Sequence, residues 1–473
     1  MIPAVTYAGK RVAVFGLGAS GRATIEALEA VNADVFAWDD SRASRDKLAR
    51  SGLTPTNLRR ADWTTIDALV LAPGVPLTHP EPHWTVKKAK EAGVPVIGDT
   101  EIFVQALAAS GSKTVHLAIT GTNGKSTTTA LLGHILKSAG RATEVGGNIG
   151  RAVLDLQPPA DGRHYVVEFS SYQIDLTPSL KPDAGILLNL TPDHLDRHGD
   201  MAGYAAVKQR MFALQDEDDV AIIGVDDDHC RVIAGQVSGP EVMRISVEAP
   251  VFQGVSVREG TLEEWHNGAR VAGTDLTRVE GLRGSHNWQN AAAAWAACRS
   301  IGLKPAQIAS GFASFPGLAH RMEQVGRFEK PGGRGSILFI NDSKATNADA
   351  AARALASFQN VYWIAGGLAK DGGIDGLSDF FPEIRRSYLV GEAAPAFAET
   401  LLGHVKAFQS GTIDNAVAHA FEDAAADSGD AVILLSPACA SFDQYRNFEI
   451  RGDAFKAAVA ALDGVSLKAQ EAA

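Results

Sequence analysis

Cysteine is scarce: the 473-residue chain has three, Cys230, Cys298 and Cys439, far apart and in no CxxC pair. That excludes a disulfide-stapled fold and a cysteine zinc cluster, and it suits a reducing compartment. Long apolar runs are missing too. Nothing approaches the roughly 18 residues of a membrane span, and no basic segment with an apolar core opens the chain. The expected location is therefore cytoplasmic, without membrane insertion. Surplus positive charge is also lacking. At a net charge of -11, the sequence does not provide the Lys and Arg excess that tracks a phosphate backbone, so nucleic acid is not an expected partner. No period of solenoid length is visible.

What remains is an ordinary globular composition, 45% hydrophobic, on a chain too long for a single core. The acidic clusters Asp216–Asp219 and Asp226–Asp228 lack EF-hand spacing and read as solvated turns. Short apolar runs alternate with helix-like segments: 12–15, 68–71, 115–119, 165–169, 185–188, and later 337–340, 361–364, 388–390 and 431–435. This rhythm predicts an α/β fold with mainly parallel sheets. Polar stretches at 108–113 and 315–321 suggest three α/β units with cuts near residues 107 and 318.

Three local patterns carry chemistry. After the strand-like Arg11–Phe15 comes Gly16-Leu17-Gly18-Ala19-Ser20-Gly21 and a helical pattern, and a second strand ends at Asp39 and Asp40. Glycines there let backbone approach a diphosphate at a helix N-terminus. A dinucleotide site, another nucleotide-diphosphate site and a plain tight turn all fit this pattern. Ala72-Pro73-Gly74-Val75-Pro76 follows another strand and could border the same crevice.

The second pattern is Thr120-Gly121-Thr122-Asn123-Gly124-Lys125-Ser126 between a strand and a helix. Strand, Gly-Lys-Ser and helix together supply a nest of N–H groups, a phosphate-binding lysine and a hydroxyl for Mg²⁺. The usual first glycine would fall at Ile119, a departure from the general frame, yet the order of parts predicts ATP binding.

The third is a set of isolated polar groups. Glu168 ends a strand, where either metal-bearing phosphates or a salt bridge could occupy it. His194 and His198 stand four apart without an evident third zinc ligand. On a helix over Met201–Gln215, Lys208 shares a face with Tyr204, Met211 and Phe212. Such a lysine either snorkels to water or is buried, and a buried neutral amine can add CO₂ to become an anionic carbamate.

Taken together, Gly121–Thr127, Glu168-Phe169-Ser170-Ser171 and Asp193-His194-Leu195-Asp196-Arg197-His198 resemble the Mur ligases. The segments Asn341–Asn347 and Ser436–Gln444 are similar to those of the D-glutamate-adding branch of that family, and the resemblance covers essentially the whole chain. It implies three domains: a Rossmann-like UDP-binding domain at 1–107, a P-loop ATPase domain at 108–318 and a C-terminal Rossmann-like domain at 319–473. It implies an ATP-dependent amide ligase of peptidoglycan precursor synthesis. The substrates would be UDP-N-acetylmuramoyl-L-alanine and D-glutamate, joined through an acyl phosphate by a monomer.

By that resemblance, Gly18, Ala19, Ser20, Gly21, Asp40, Ser41, Arg42, Pro73, Gly74 and Asn148 hold the UDP-substrate. Ala72 stands where many members have serine, which removes one hydroxyl from that set. ATP falls to Gly121, Thr122, Asn123, Gly124, Lys125, Ser126, Thr127, Asn287, Asn290, Arg321 and Asp342. Lys125, His194 and Lys208 are the expected catalytic residues. Ser126, Glu168, His194 and Lys208, the last as its carbamate, are the expected ligands of two Mg²⁺ ions. Thr346, Lys370, Ser441 and Phe448 would form the glutamate pocket, and Lys344 has no assigned role. Two other classes stay open on the residues alone. An NAD-dependent oxidoreductase would use only the first glycine turn, and a nucleotide switch would make no amide. A folylpolyglutamate synthase-like ligase would lack the N-terminal α/β unit.

Overall fold

The computed structural model describes residues 1–282, 284–370 and 372–468. Its contacts divide into two compact units, residues 1–279 with 287–315, and residues 280–286 with 316–468. The first holds two sheets and the second holds one.

The N-terminal sheet contains β1 (Arg11–Phe15), β2 (Asp34–Trp38), β3 (Ala68–Leu71) and β4 (Val96–Ile97), all parallel, in the order β2-β1-β3-β4. β3 is buried throughout, as a strand covered on both faces must be, and its run Ala-Leu-Val-Leu carries no polar residue. Strand order reverses between β1 and β3. The Gly16–Gly18 turn and the Ala72–Gly74 turn therefore flank one crevice at the carboxyl ends of the strands.

The second sheet holds β5 (Val115–Thr120), β6 (Thr143–Gly147), β7 (His164–Glu168), β8 (Ala184–Leu187), β9 (Val220–Gly224), β10 (Glu241–Ser246), β11 (Gly254–Arg258), β12 (Thr261–His266) and β13 (Ala269–Asp275). Its order is β13-β12-β11-β10-β9-β8-β5-β7-β6. From β6 to β11 the pairs are parallel, and β11–β13 form an antiparallel meander that the periodicity reading did not anticipate. Its turns use left-handed pairs, Glu259-Gly260 and Asn267-Gly268. Side chains of β5, β7 and β8 share a core with the N-terminal helices.

The third sheet, in the second unit, holds β14 (Glu323–Glu329), β15 (Ser336–Asn341), β16 (Val361–Gly366), β17 (Ile384–Val390), β18 (Ala407–Gly411), β19 (Ala431–Leu435) and β20 (Ser466–Leu467). The order is β18-β17-β16-β19-β15-β14-β20, parallel except where β14 meets its neighbours. This is the α/β class expected from the alternating pattern, with mainly parallel sheets.

Two local expectations are corrected. The helix carrying Lys208 is α-helical only over Met201–Gln209 and tightens to a 3₁₀ turn at Arg210–Phe212, so the Met201–Gln215 span was too long. The acidic turn at 216–219 is not wholly solvated. Asp219 is buried, accepts the Asp216 N–H at 2.9 Å and lies 3.4 Å from the Lys181 ammonium.

Candidate active site

The phosphate loop leaves β5 at Thr120 and enters helix α1 (Lys125–Ser138), with Leu131, Leu132 and Ile135 buried beneath it. Gly124 takes φ +84°, and a Cβ there would lie 2.2 Å from Asn290 Oδ1, so only glycine fits. The Lys125 ammonium donates to the carbonyls of Gly121 and Thr122 at 2.8 and 2.6 Å. The lysine thus folds back over the nest in which a phosphate would lie.

Lys208 reaches the same carbonyl. Its Nζ donates to Gly121 O at 2.9 Å and to Thr120 Oγ1 at 2.8 Å, and the side chain is 1% exposed. Burial, then the Lys125 charge, hold its amine well below the ordinary lysine range against the opposing pulls of Asp193 and Glu168. Of the two readings of the sequence, the buried lysine is the one realised.

Glu168, at the end of β7, is 2% exposed. Its Oε1 accepts from Asn148 Nδ2 at 2.8 Å, while Oε2 is buried and has no hydrogen-bond partner. The Asn148 N–H also donates to Glu168 O at 2.9 Å, because Gly147 at φ +105° brings the end of β6 against β7. An orphaned carboxylate oxygen deep in a protein is costly unless a cation completes it. Ser126, the first hydroxyl of α1, is buried nearby in sequence at the same loop.

His194 follows β8 in a left-handed conformation, φ +53°, with its ring 5.1 Å from that of Tyr172. His198 stacks on the Tyr172 ring at 5.5 Å and bonds Ser171 Oγ at 2.9 Å, so it is a framework histidine. Among the described residues no group of three His, Cys, Asp or Glu forms a metal cluster. Any cation here would use the mixed set of hydroxyl, carboxylate, imidazole and modified lysine.

Helix α2 (Ser285–Ser300), which carries the expected ATP residues Asn287 and Asn290, meets the loop through Asn290, whose Oδ1 accepts from Thr128 Oγ1 at 3.2 Å and whose Nδ2 donates to Asn287 at 3.1 Å. Asn189, to which the sequence reading gave no role, touches the loop directly. Its Oδ1 accepts the Asn123 N–H at 2.9 Å and its Nδ2 donates to Gln289 Oε1 at 2.8 Å.

At the N-terminal crevice, the expected UDP-substrate residues gather at the ends of β1, β2 and β3. A Cβ on Gly21 would lie 1.9 Å from Gly16 O, which fixes the close approach of helix and turn. Asp39, passed over in favour of its neighbour, braces the turn by accepting the N–H groups of Leu17 and Ser41, both at 2.8 Å. Asp40 instead accepts from Trp84 Nε1 at 2.9 Å and faces His83 and Arg59. Ser41 caps the helix that begins at Arg42, and Arg42 is exposed beside Asp46. Gly74 O accepts from Arg197 Nη1 at 3.0 Å, tying this crevice to the histidine loop. Asn148 belongs to the second sheet.

In the second unit, Asp342 follows β15 and Ser436 follows β19, with Asp342 N–H donating to Leu435 O at 2.7 Å. Burial pushes the Asp342 carboxyl up to about 7, against hydrogen bonds from Ser436 and Met322 N–H and the charge of Arg321. Between pH 4 and 7 the folded chain therefore holds a proton that the unfolded chain releases, so stability falls as pH rises through that window. Asp342→Asn is expected to remove this slope, with gains of up to about 4 kcal/mol at pH 8 in urea melts of the unliganded protein. An unchanged slope would show that the carboxyl is already ionised.

Of the expected glutamate residues, Ser441 is buried after β19, Thr346 is half-buried after β15, Phe448 opens a helix, and Lys370 is exposed after β16. Lys344 lies 4.1 Å over the Phe448 ring. Buried Arg451 joins the two loops by donating to Ser343 O at 2.8 Å and Cys439 O at 3.0 Å.

A phosphate loop at the switch point of a parallel sheet, with a buried carboxylate and a buried amine beside it, defines an ATP-using enzyme. The Mur ligase middle domain matches residues 119–298. The UDP-N-acetylmuramoylalanine--D-glutamate ligase of Mesorhizobium japonicum is 57% identical over 468 residues, 98% of each chain. That of Rhizobium meliloti is 55% identical over 470 residues, 99% of this chain and 100% of its own. In structure the chain is similar to UDP-N-acetylmuramate-alanine ligase MurC from Thermotoga maritima, with TM-score 0.56, 17% identity, and 94% and 98% of the two chains covered. The chain belongs to the Mur ligases, in their UDP-N-acetylmuramoylalanine--D-glutamate ligase family.

Proposed function

We propose that the protein joins D-glutamate to UDP-N-acetylmuramoyl-L-alanine at the expense of ATP, through an acyl phosphate. The observation that carries this reading is the convergence of Lys125 and Lys208 on one carbonyl, Gly121 O, with the Glu168 charge acting on the same amine.

The chemistry follows from the charges. A carboxylate resists attack by an amine because it is anionic and its oxygen leaves poorly. Transfer of the γ-phosphoryl group from ATP to that oxygen forms a C–O–P linkage, releases ADP and creates a good leaving group. The neutral amine of D-glutamate then adds to the carbonyl carbon. The tetrahedral intermediate expels inorganic phosphate, and one proton is lost to give the amide. Lys125, folded over the loop, would meet the phosphates, and Asn148, bonded to Glu168, would stand on the acceptor side.

We assign two Mg²⁺ ions to Ser126, Glu168, His194 and carbamylated Lys208; Glu168 Oε2, a buried acceptor without a hydrogen-bond partner, supports a cation at that residue. When bound, they would supply neutralisation of the charge that gathers as two anions meet. Gly18–Gly21, Asp40–Arg42 and Pro73–Gly74 would hold the UDP moiety. Asn287 and Asn290 would hold ATP with the phosphate loop; in the second unit Arg321 and Asp342 are proposed for ATP, and Thr346, Lys370, Ser441 and Phe448 for glutamate. The domains are proposed at 1–107, 108–318 and 319–473, in a cytoplasmic monomer. All three cysteines are buried and free, and no described helix is long and apolar enough to cross a membrane.

Phosphate release in the presence of UDP-N-acetylmuramoyl-L-alanine, with D- and L-glutamate tested separately, decides the matter. Release is expected only with the D-isomer and the acceptor together. Release that needs no amino acid, or equal turnover of both isomers, would overturn the assignment.

A further inference from the structure

The segment Asn189–Thr191 lies against the phosphate loop over several bonds. Thr122 N–H donates to Asn189 O at 2.9 Å, Asn123 N–H to Asn189 Oδ1 at 2.9 Å, and Thr191 N–H to Thr122 Oγ1 at 3.0 Å. Asp193 and His194 follow two and three residues further on. On its other side the Asn189 amide donates to Gln289 Oε1 at 2.8 Å, and Gln289 sits on α2 between Asn287 and Asn290. Gln289 Nε2 in turn reaches Asp226 Oδ2 at 3.5 Å, and that carboxylate is fixed by Ser246 Oγ and the Val247 N–H.

We infer that Asn189 is a positioning residue that sets the phosphate loop, helix α2 and the histidine loop in one mutual register. The physical reason is the chemistry of a primary amide. It offers an acceptor oxygen and two N–H donors in one plane, so Asn189 accepts the Asn123 N–H while donating to Asn123 O at 3.3 Å and to Gln289 Oε1, a set met only when the two elements keep this relative orientation. A carboxylate at this position has no donor for Gln289, and a hydroxyl would have to make both bonds from a single atom. Asn189 takes up the N–H groups of Thr122 and Asn123, which holds that stretch of the loop in place so that the residues after it can meet a phosphate, without touching nucleotide itself. The inference rests on the ATP reading of the loop and names the group that keeps the loop in shape.

The test is a double-mutant cycle on the full chain with Asn189→Ala, Gln289→Leu and the pair. Two readouts are used: calorimetric binding of a non-hydrolysable ATP analogue with Mg²⁺, and the KM values for ATP and for glutamate. Asn189→Ala is expected to weaken analogue binding about 10–100-fold, the range of supporting residues around a site. The ATP KM should rise similarly, with the glutamate KM within about twofold of the parent and little change in thermal midpoint. Gln289→Leu should be milder, and the double variant no worse than Asn189→Ala alone, since both remove one linkage. Asn189→Gln, which keeps the amide at a different reach, should not restore binding. Strictly additive losses, or a fall in thermal midpoint with nucleotide affinity unchanged in the folded protein, would overturn the proposal. Because analogue binding needs no amide formation, a parent that binds nucleotide but makes no amide would sink the ligase reading and leave this test intact.

Discussion

Lys208→Ala is expected to lower kcat by about 10²–10³-fold, the range for removing one preorganised charge-stabilising group, while the protein stays folded. The amine donates to Thr120 Oγ1 and Gly121 O. A neutral amine has two hydrogens, and both are used there, which leaves its lone pair free. Burial and the Lys125 charge both favour the neutral amine over the ammonium, which raises the share of molecules in which that lone pair is free. It can add to CO₂, forming an N–C bond and releasing one proton, so that a cation-prone site becomes an anionic oxygen donor. If the carbamate is the working form, small carboxylates such as acetate or propionate should restore activity to Lys208→Ala in a saturable way at constant ionic strength. They would place an anion where the alanine leaves space. Rescue by a small alkylamine and not by carboxylates would show instead that the unmodified amine is what the site requires. The sign of the pH effect is also fixed. Acidification through the lowered lysine pKa protonates the amine, blocks carbamylation and reduces activity of the parent, but not of the carboxylate-rescued variant.

What could be read from the sequence follows the distance over which each interaction acts. The phosphate loop is local: strand, Gly-Lys-Ser and helix lie within a few residues, and the glycine at 124 is required by the backbone itself. Lys208 was legible only in part: Tyr204, Met211 and Phe212 at helical spacing place it on an apolar face, but that spacing allowed snorkelling as well as burial, and it was the Mur ligase resemblance that singled the residue out. Asn189 was not legible as a linking residue, since Asn123 and Gln289 are 66 and 100 residues away and nothing local marks an amide that will meet them. Asp39 and Asp40 show the same limit at short range. Two adjacent acids at a strand end carry no signal of which turns back to brace the glycine loop. The β11–β13 meander is different, for Asn267-Gly268 is a strong hairpin signal that was available and went unused.

Glu168→Gln separates activity from stability in opposite directions. Its Oε1 can still accept from Asn148, so the frame between β6 and β7 is retained, but the charge is gone. Activity is expected to fall about 10²-fold, with the half-saturating Mg²⁺ concentration raised about 10–100-fold. In metal-free buffer the same variant should unfold at higher urea, by about 1–3 kcal/mol, because a buried carboxylate oxygen with no partner is replaced by a group cheaper to remove from water. Added Mg²⁺ should then close the gap, since a cation that binds only the folded parent stabilises it by about 2.7 kcal/mol at a hundred times its dissociation constant. The combination is diagnostic. A carboxylate serving only to hold Asn148 would leave the Mg²⁺ dependence of both activity and melting unchanged on conversion to the amide. A carboxylate kept unpaired for a cation is a strained feature of the unliganded fold, so relieving it must gain stability exactly where it loses catalysis.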